Sequence, residues 1–127
     1  ASTGVGLLRA RNSTLPEYDL ERVGMGITGL DMHTTTTASR RILLIHYPAV
    51  ADGMGKQRFD LILAGHSHGG QVRLPLWGPI ILPPAVGRYD LGYYETPAGP
   101  LYVNAGIGTY IVPWRFNCPP ELTLITI

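Results

Sequence analysis

Two short runs of residues, 42–45 and 61–64, constrain the fold most, because every position in them is apolar. Runs of this length are typical of strands, whereas helices are usually about ten residues or longer. A strand with one face in water alternates apolar and polar side chains, and a strand covered on both faces does not. The two runs therefore predict strands in the middle of a sheet, with further layers of structure on both faces.

Turn-forming residues divide most of the remaining chain into similarly short pieces. Glycine and proline account for 16 and 11 of the 127 residues, well above the roughly 12% that they contribute to an average protein. A short helix is expected at residues 48–58, although Gly53 and Gly55 disfavour helical backbone. We therefore expect a strand-rich α/β fold in which residues 1–127 belong to one domain. Its strands are predicted at residues 5–8, 25–30, 41–46, 61–65, 101–104 and 122–127.

Charge and hydropathy exclude several functions. Ten basic and nine acidic residues leave a formal charge of +1, and Arg40-Arg41 is the longest basic run, so no nucleic-acid surface is predicted. No apolar stretch approaches the roughly 20 residues of a membrane-spanning helix, and we expect a soluble chain.

Cys118 is the only cysteine, so an intrachain disulfide is ruled out. We expect Cys118 to be a small buried side chain. The chain shows no signal peptide, and we expect a segment upstream of Ala1.

Three of the four histidines follow the two central strands. His46 comes directly after the first run, and His66 and His68 come directly after the second. Ligand and metal sites in open sheets gather at the carboxyl ends of strands, and neutral imidazole is the commonest metal ligand. The spacing of His66 and His68 places both rings on one side of an extended segment. The three histidines together predict a metal site.

The same residues carry a family resemblance. The segment Ile42-Leu-Leu-Ile-His46-Tyr-Pro48, followed by Gly65-His66-Ser67-His68-Gly69-Gly70, resembles the last two metal-binding motifs of the calcineurin-like phosphoesterases. Residues 101–109 and 113–127 resemble a bacterial, membrane-associated branch of that family, some of whose members hydrolyse nucleotide-sugar lipid intermediates. The resemblance runs from about Val5 to the last residue. It implies that residues 1–127 are the C-terminal half of a four-layer α/β/β/α sandwich with two mixed sheets.

The resemblance also implies a set of site residues and cofactors. His46 and His66 would share one divalent ion and His68 would bind a second, with Mn, Fe, Zn or Ni as the metals. Two such ions together bind a phosphate and activate a water molecule, so the expected substrate is a phosphomonoester or phosphodiester. Arg73 and Arg115 are candidate substrate-binding residues, because a guanidinium suits the paired oxygens of a phosphate. Structural pairing is the alternative for both arginines.

Other motifs that the family requires are missing. An Asp-x-His, a Gly-Asp and a Gly-Asn-His motif do not occur where the resemblance would place them. Asp31-Met32-His33 has the spacing of the first motif but matches a segment beyond the ligands, so we expect a loop-capping Asp31 and a solvent-facing His33. Asp60 lies at the start of the strand that leads to His66. The extended chain between them places Asp60 about 20 Å from His66, so it cannot be a ligand of the same metal. Without a carboxylate to offset the metal charge, this chain alone is expected to bind at most one ion, such as Zn²⁺, through His46, His66 and His68.

Two hypotheses for the function follow. In the first, the chain is an incomplete and largely inactive half of a phosphoesterase, and an N-terminal half or another chain completes the core. In the second, it is a non-catalytic interaction module with a structural metal site. Exposed sheet edges favour homo-oligomers in either case. The resemblance favours a bacterial parent tethered to a membrane by an N-terminal segment.

Four aromatic residues are expected to be packing residues rather than a lipid-recognition surface: Trp77, Trp114, Tyr93 and Tyr94.

Overall fold

A computed structural model describes residues 5–9 and 40–126. Its strands are β1 Val5–Arg9, β2 Arg40–Leu44, β3 Leu61–Ala64, β4 Arg73–Leu74, β5 Gly78–Pro79, β6 Gly92–Thr96 and β7 Gly99–Val103. Five of them form the main sheet, in the order β1-β2-β3-β7-β6. Strands β1, β2, β3 and β7 run parallel to one another, and β6 runs antiparallel to β7. The other two, β4 and β5, pair in a separate antiparallel ribbon.

The two apolar runs are inner strands of the sheet, as predicted. Leu43 of β2 pairs in register with Ile62 of β3, and Ile62 pairs with Leu101 of β7. All three side chains are fully buried and form the centre of the core. On the opposite face Leu61 and Leu63 are only partly buried. Within the described residues the sheet is therefore covered better on one face than on the other.

The helix expected at residues 48–58 is shorter than predicted. A 3₁₀ helix occupies Pro48–Gly53, and Gly55 adopts a positive φ of 59° that ends any continuation. Proline at the first position supplies a favourable φ for the start, whereas the two glycines disfavour the rest. The helix packs Val50 and Ala51 onto the core cluster of the sheet.

The hairpin of β6 and β7 is attached to the start of β3. Thr96 and Gly99 form the last pair of the hairpin, and the Phe59 amide donates to the Ala98 carbonyl at 2.7 Å. This bond places β7 beside β3, so the carboxyl ends of both strands reach the same edge of the sheet.

One strand prediction is wrong, and another lies outside the described residues. Residues 122–126 form no strand, and Leu122 and Leu124 are each 94% exposed. An apolar alternation becomes a strand only when a neighbouring strand pairs with it, and no strand in the described part does so. The strand predicted at 25–30 falls among residues that are not described. The prediction at 5–8 agrees with β1.

The described elements fit an α/β fold that is rich in strands, contains a mixed sheet and has few helices. The four-layer arrangement stays a prediction. No helix in the described part of the chain is long and apolar enough to cross a membrane.

Candidate metal centre

The carboxyl ends of three parallel strands form one edge of the sheet. His46 lies two residues beyond β2, His66 lies two residues beyond β3, and Asn104 follows β7 directly. The hydrogen-bond ladder continues to this edge, because the Ile45 amide donates to the Leu63 carbonyl at 3.0 Å and the Asn104 amide donates to Ala64 at 2.9 Å. The edge is therefore held rigidly where the histidines leave the sheet.

His46 and His66 are in contact. Their ring centroids lie 4.6 Å apart, and the Tyr47 ring lies 4.7 Å from each of them. The Nε2 atom of His66 is 2.8 Å from the carbonyl oxygen of Pro84. Since a carbonyl oxygen only accepts hydrogen bonds, Nε2 is the protonated donor, and Nδ1 carries the lone pair when the ring is neutral. A backbone carbonyl that fixes one ring nitrogen in this way is the usual environment of a metal-binding histidine.

The loop that carries His66 and His68 has an unusual backbone. His66, His68 and Gln71 have positive φ values of 68°, 49° and 50°, a region that residues other than glycine rarely adopt. Gly69 also has a positive φ of 60°, and a Cβ at this position would lie 2.6 Å from the Cys118 sulfur. Strained backbone of this kind is concentrated at functional sites. Cys118 is buried, as predicted, and packs beneath the loop.

His68 is held differently from His66. Its ring stacks on Tyr110 at a centroid distance of 6.0 Å, and its buried Nδ1 atom has no hydrogen-bond partner in the part of the chain that the structure describes. Burial lowers the pKa of His68; the carbonyl of Gly108 opposes this shift, and the nearby positive charges of Arg115 and His66 add to it. A neutral ring with an unpartnered nitrogen suits a metal ligand.

The three histidines do not converge on one point. Ring contacts join His46 to His66 and His68 to Tyr110. Within residues 40–126 no three His, Cys, Asp or Glu side chains are placed to hold a metal together. The single-ion site formed by all three histidines is thus not present in this structure, and the division into a pair and a separate His68 stays compatible with two ions.

Neither candidate carboxylate contributes to this edge in the described residues. Asp60 lies at the amino end of β3 and accepts a hydrogen bond from the Arg41 amide at 2.6 Å. Asp31 and His33 lie outside the described residues, so their expected loop-capping and solvent-facing roles stay predictions.

Arg73 is engaged in a structural ion pair. Its Nη1 atom is 2.7 Å from a carboxylate oxygen of Asp90 and donates to the Gly69 carbonyl at 2.8 Å. Asp90 also accepts a hydrogen bond from the Tyr94 hydroxyl at 2.6 Å. Burial by itself would raise the pKa of Asp90, but the hydrogen bonds from Tyr94 and Arg73 and the charge of Arg73 lower it overall. In this structure Arg73 therefore makes a structural pairing, which is the alternative to substrate binding for this residue.

The guanidinium of Arg115 is surrounded by backbone carbonyls. It donates to Ala105 at 2.8 Å and to Gly108 at 2.6 and 3.0 Å, and it also reaches the carbonyls of Gly106, His68 and Cys118. A guanidinium has five N–H groups, and these contacts occupy all of them. Arg115 therefore has no donor left for a phosphate in this structure.

Gln71 joins the histidine loop to the segment after β7. Its buried side-chain amide donates to the carbonyls of Val112 and Trp114 at 3.0 and 3.3 Å, and its side-chain oxygen accepts from the Tyr110 amide.

Three residues that contact the histidines were not predicted as site residues: Tyr110, Tyr47 and Pro84. Only Tyr47 carried a signal in the sequence, as the neighbour of His46, because the other two reach the histidines through the tertiary fold.

An open groove of about 520 Å³ lies beside His68. Residues 80–84, residues 110–112 and Trp114 line it together with the histidine loop, and most of these side chains are apolar. Trp77, Trp114 and Tyr93 are 86%, 54% and 59% exposed, so the expectation that they are packing residues is wrong for the described structure. Tyr94 does pack against the core.

The chain is similar to bacterial and animal proteins. It is 44% identical over 86 residues to the uncharacterized metallophosphoesterase YkuE of Bacillus subtilis (strain 168), covering 68% of this chain and 30% of YkuE. It is 32% identical over 132 residues to the phosphodiesterase YaeI of Escherichia coli (strain K12), covering 99% of this chain and 48% of YaeI. A transmembrane protein with metallophosphoesterase domain of Danio rerio is 32% identical over 127 residues, which are 98% of this chain and 27% of that protein. No protein-family model and no solved structure matches the chain.

These alignments extend over two thirds or nearly all of the chain, while the chain spans about half the length of YaeI and less of the other two relatives. All three relatives are named for phosphoester chemistry. The histidine motifs that carry the resemblance lie together at one edge of the sheet. The chain therefore belongs to the calcineurin-like metallophosphoesterase family.

Proposed function

We propose that this chain supplies three histidine ligands to a dinuclear metal centre that hydrolyses phosphomonoesters or phosphodiesters. The observation that carries the proposal is the contact between His46 and His66 at the carboxyl edge of the sheet, with a ring nitrogen of His66 fixed by the Pro84 carbonyl. His68, with an unpartnered Nδ1, would serve the neighbouring ion. The name of YaeI, a phosphodiesterase, supports the ester class.

The charge balance decides what else the centre needs. Three neutral imidazoles offset none of the four positive charges of two divalent ions, and such charges repel each other strongly at the separation of about 3.5–4 Å found in two-metal sites. No acidic side chain of residues 40–126 joins the histidines in a ligand set. We therefore propose that carboxylates from an N-terminal half, or from another chain, complete the centre, and that this chain alone turns over little substrate.

The roles within the chain differ from residue to residue. Divalent ions bound at this edge would neutralise the phosphate and lower the pKa of a water molecule. His46, His66 and His68 would hold those ions. Arg115 is fully engaged with carbonyls and Arg73 with Asp90, so neither arginine is part of the proposed phosphate-binding group.

Hydrolysis of bis-p-nitrophenyl phosphate and p-nitrophenyl phosphate in the presence of Mn²⁺ tests the proposal. The intact protein, by which we mean this chain together with the N-terminal half or other chain that completes the centre, should hydrolyse at least one of them, and His66→Ala should abolish turnover. His33→Ala is the matched control, and it should leave metal affinity and turnover unchanged. Metal binding without any turnover by the intact protein would instead support the non-catalytic interaction module, and no dependence of turnover on His66 would exclude the proposed centre.

A further inference from the structure

We infer that Arg115 is a positioning residue that sets the orientation of His68. This inference rests on the proposed function of His68 as a metal ligand, but it concerns the orientation of the ring in the metal-free protein as well. Arg115 stands 47 residues from His68 in the sequence, and the two are brought together by the turn after β7.

The guanidinium links three separate segments of backbone. One nitrogen reaches the His68 carbonyl at 3.3 Å and the Cys118 carbonyl at 3.3 Å. The other nitrogens reach the carbonyls of residues 105, 106 and 108, at distances from 2.6 to 3.1 Å. Carbonyl oxygens gathered in this way repel one another unless a cation lies between them. Removing the guanidinium would therefore release all three segments together.

His68 depends on these segments because two neighbours of its ring, Gly108 and Tyr110, lie on them or directly after them. Its Nδ1 atom is buried and has no hydrogen-bond partner among the described residues, whereas the His66 ring is anchored by Pro84. The ring of Tyr110, two residues beyond Gly108, stacks on the His68 ring. The carbonyl of Gly108 faces the ring and favours its protonated form, and the same carbonyl accepts two bonds from Arg115.

The backbone of His68 needs the same support. Its φ of 49° is a left-handed value that side-chain-bearing residues rarely adopt, and its carbonyl accepts bonds from the Gln71 amide and from Arg115. Arg115 thus acts on both the backbone and the ring of His68. Lysine cannot replace it, because an ammonium group has three donors around one atom and lacks the planar fork that reaches several carbonyls.

The test compares Arg115→Lys and Arg115→Ala with Arg58→Ala in the intact protein. Arg58 is the matched control, since its guanidinium also binds carbonyls, and among the described residues these belong to Gly55 and Gln57 in its own turn. The first readout is the imidazole ¹H–¹⁵N correlation spectrum of the metal-free protein. We expect the His68 signals to shift and broaden in both Arg115 variants, with the signals of His46 and His66 unchanged.

The second readout is Mn²⁺ binding followed by electron paramagnetic resonance. In both Arg115 variants one of two ions should bind more weakly by about tenfold or more, as for outer-shell partners of other metal ligands, and Arg58→Ala should match the wild type. Unchanged His68 signals with unchanged Mn²⁺ affinity would overturn the inference, and so would a loss of fold in which all three histidines change together. If the wild type binds no Mn²⁺, the proposed function fails, and the metal-free spectra still decide the role of Arg115.

Discussion

His66 and His68 are two residues apart, yet different neighbours hold them in place. Pro84 fixes a ring nitrogen of His66 directly, whereas Tyr110 contacts His68 through ring stacking. Both histidines have a left-handed backbone conformation, which residues other than glycine rarely adopt. The surrounding packing therefore has to impose the conformation of the loop, and it leaves no room for a side chain at Gly69.

Gly69→Ala should destabilise the protein by about 1–3 kcal/mol, the usual cost of overpacking. The new Cβ would lie 2.6 Å from the Cys118 sulfur, at a φ of 60°. Gly53→Ala is the matched control, because a Cβ there meets nothing within 4 Å, and a change within about 0.5 kcal/mol is expected for it. Urea unfolding of the two variants measures the difference. Equal effects at both positions would contradict the close contact beneath the histidine loop.

Asp90 should make stability depend on acid pH. Folding lowers its pKa below the ordinary value of 3.8, since hydrogen bonds from Tyr94 and Arg73 outweigh the opposing effect of burial. A carboxyl with a lowered folded pKa stabilises the fold above its unfolded pKa, and this stabilisation disappears as the pH falls through the folded value. Urea unfolding between pH 7 and pH 2 should therefore show a decline that is shallower in Asp90→Asn. Parallel curves for the two proteins would contradict the shift.

At the scale of the elements, positions that carry the same apolar signal in the sequence lie in different environments in the structure. Leu101 in β7 is fully buried between β3 and β6, and Leu122 is 94% exposed. Both belong to apolar runs that predict strands. Periodicity reports the preference of a segment for a strand, but it does not report whether a partner strand is present.

Leu101→Ala should cost about 2–5 kcal/mol, the range for truncating a buried leucine. Leu122→Ala should change stability by no more than about 0.5 kcal/mol, as for other exposed positions. Thermal and urea unfolding of both variants compare the same substitution in two environments. A large loss for Leu122→Ala would mean that residues 122–126 pair with a strand outside the described residues.

The local part of the candidate site could be predicted from the sequence, and the long-range part could not. The position of His46 and His66 just beyond β2 and β3 agrees with the sequence, because each follows an apolar run whose carboxyl end is visible there; their role as metal ligands stays a prediction. The engagement of Arg115 with His68, and of Gln71 with Val112 and Trp114, depends on how the turn after β7 folds back. The spacing of residues in the sequence does not predict how this turn folds, so substrate binding and structural pairing both stay open for Arg115 at the level of the sequence.

At the scale of the whole molecule, the structure leaves several large apolar side chains exposed, and Ile81 and Ile111 among them line the groove beside His68. Leu76, Trp77, Ile81 and Ile111 are each at least 68% exposed, and patches of this kind are typical of interaction surfaces. Relatives are about twice as long as this chain or longer, so additional polypeptide is available in them to cover such a surface. Homo-oligomers through sheet edges stay a prediction, as does completion by an N-terminal half.

Native mass spectrometry of residues 1–127 with Zn²⁺ and Mn²⁺ measures partners and bound metals together. We expect at most one ion per chain, because two divalent ions require carboxylates that do not join the histidines in the described residues. His66→Ala should remove that ion, and Arg58→Ala should retain it. A heavier complex with two ions would show that another polypeptide supplies the missing ligands. Two ions on a single chain would contradict the charge argument, and would require acidic ligands from residues 10–39, the segment that contains Asp31.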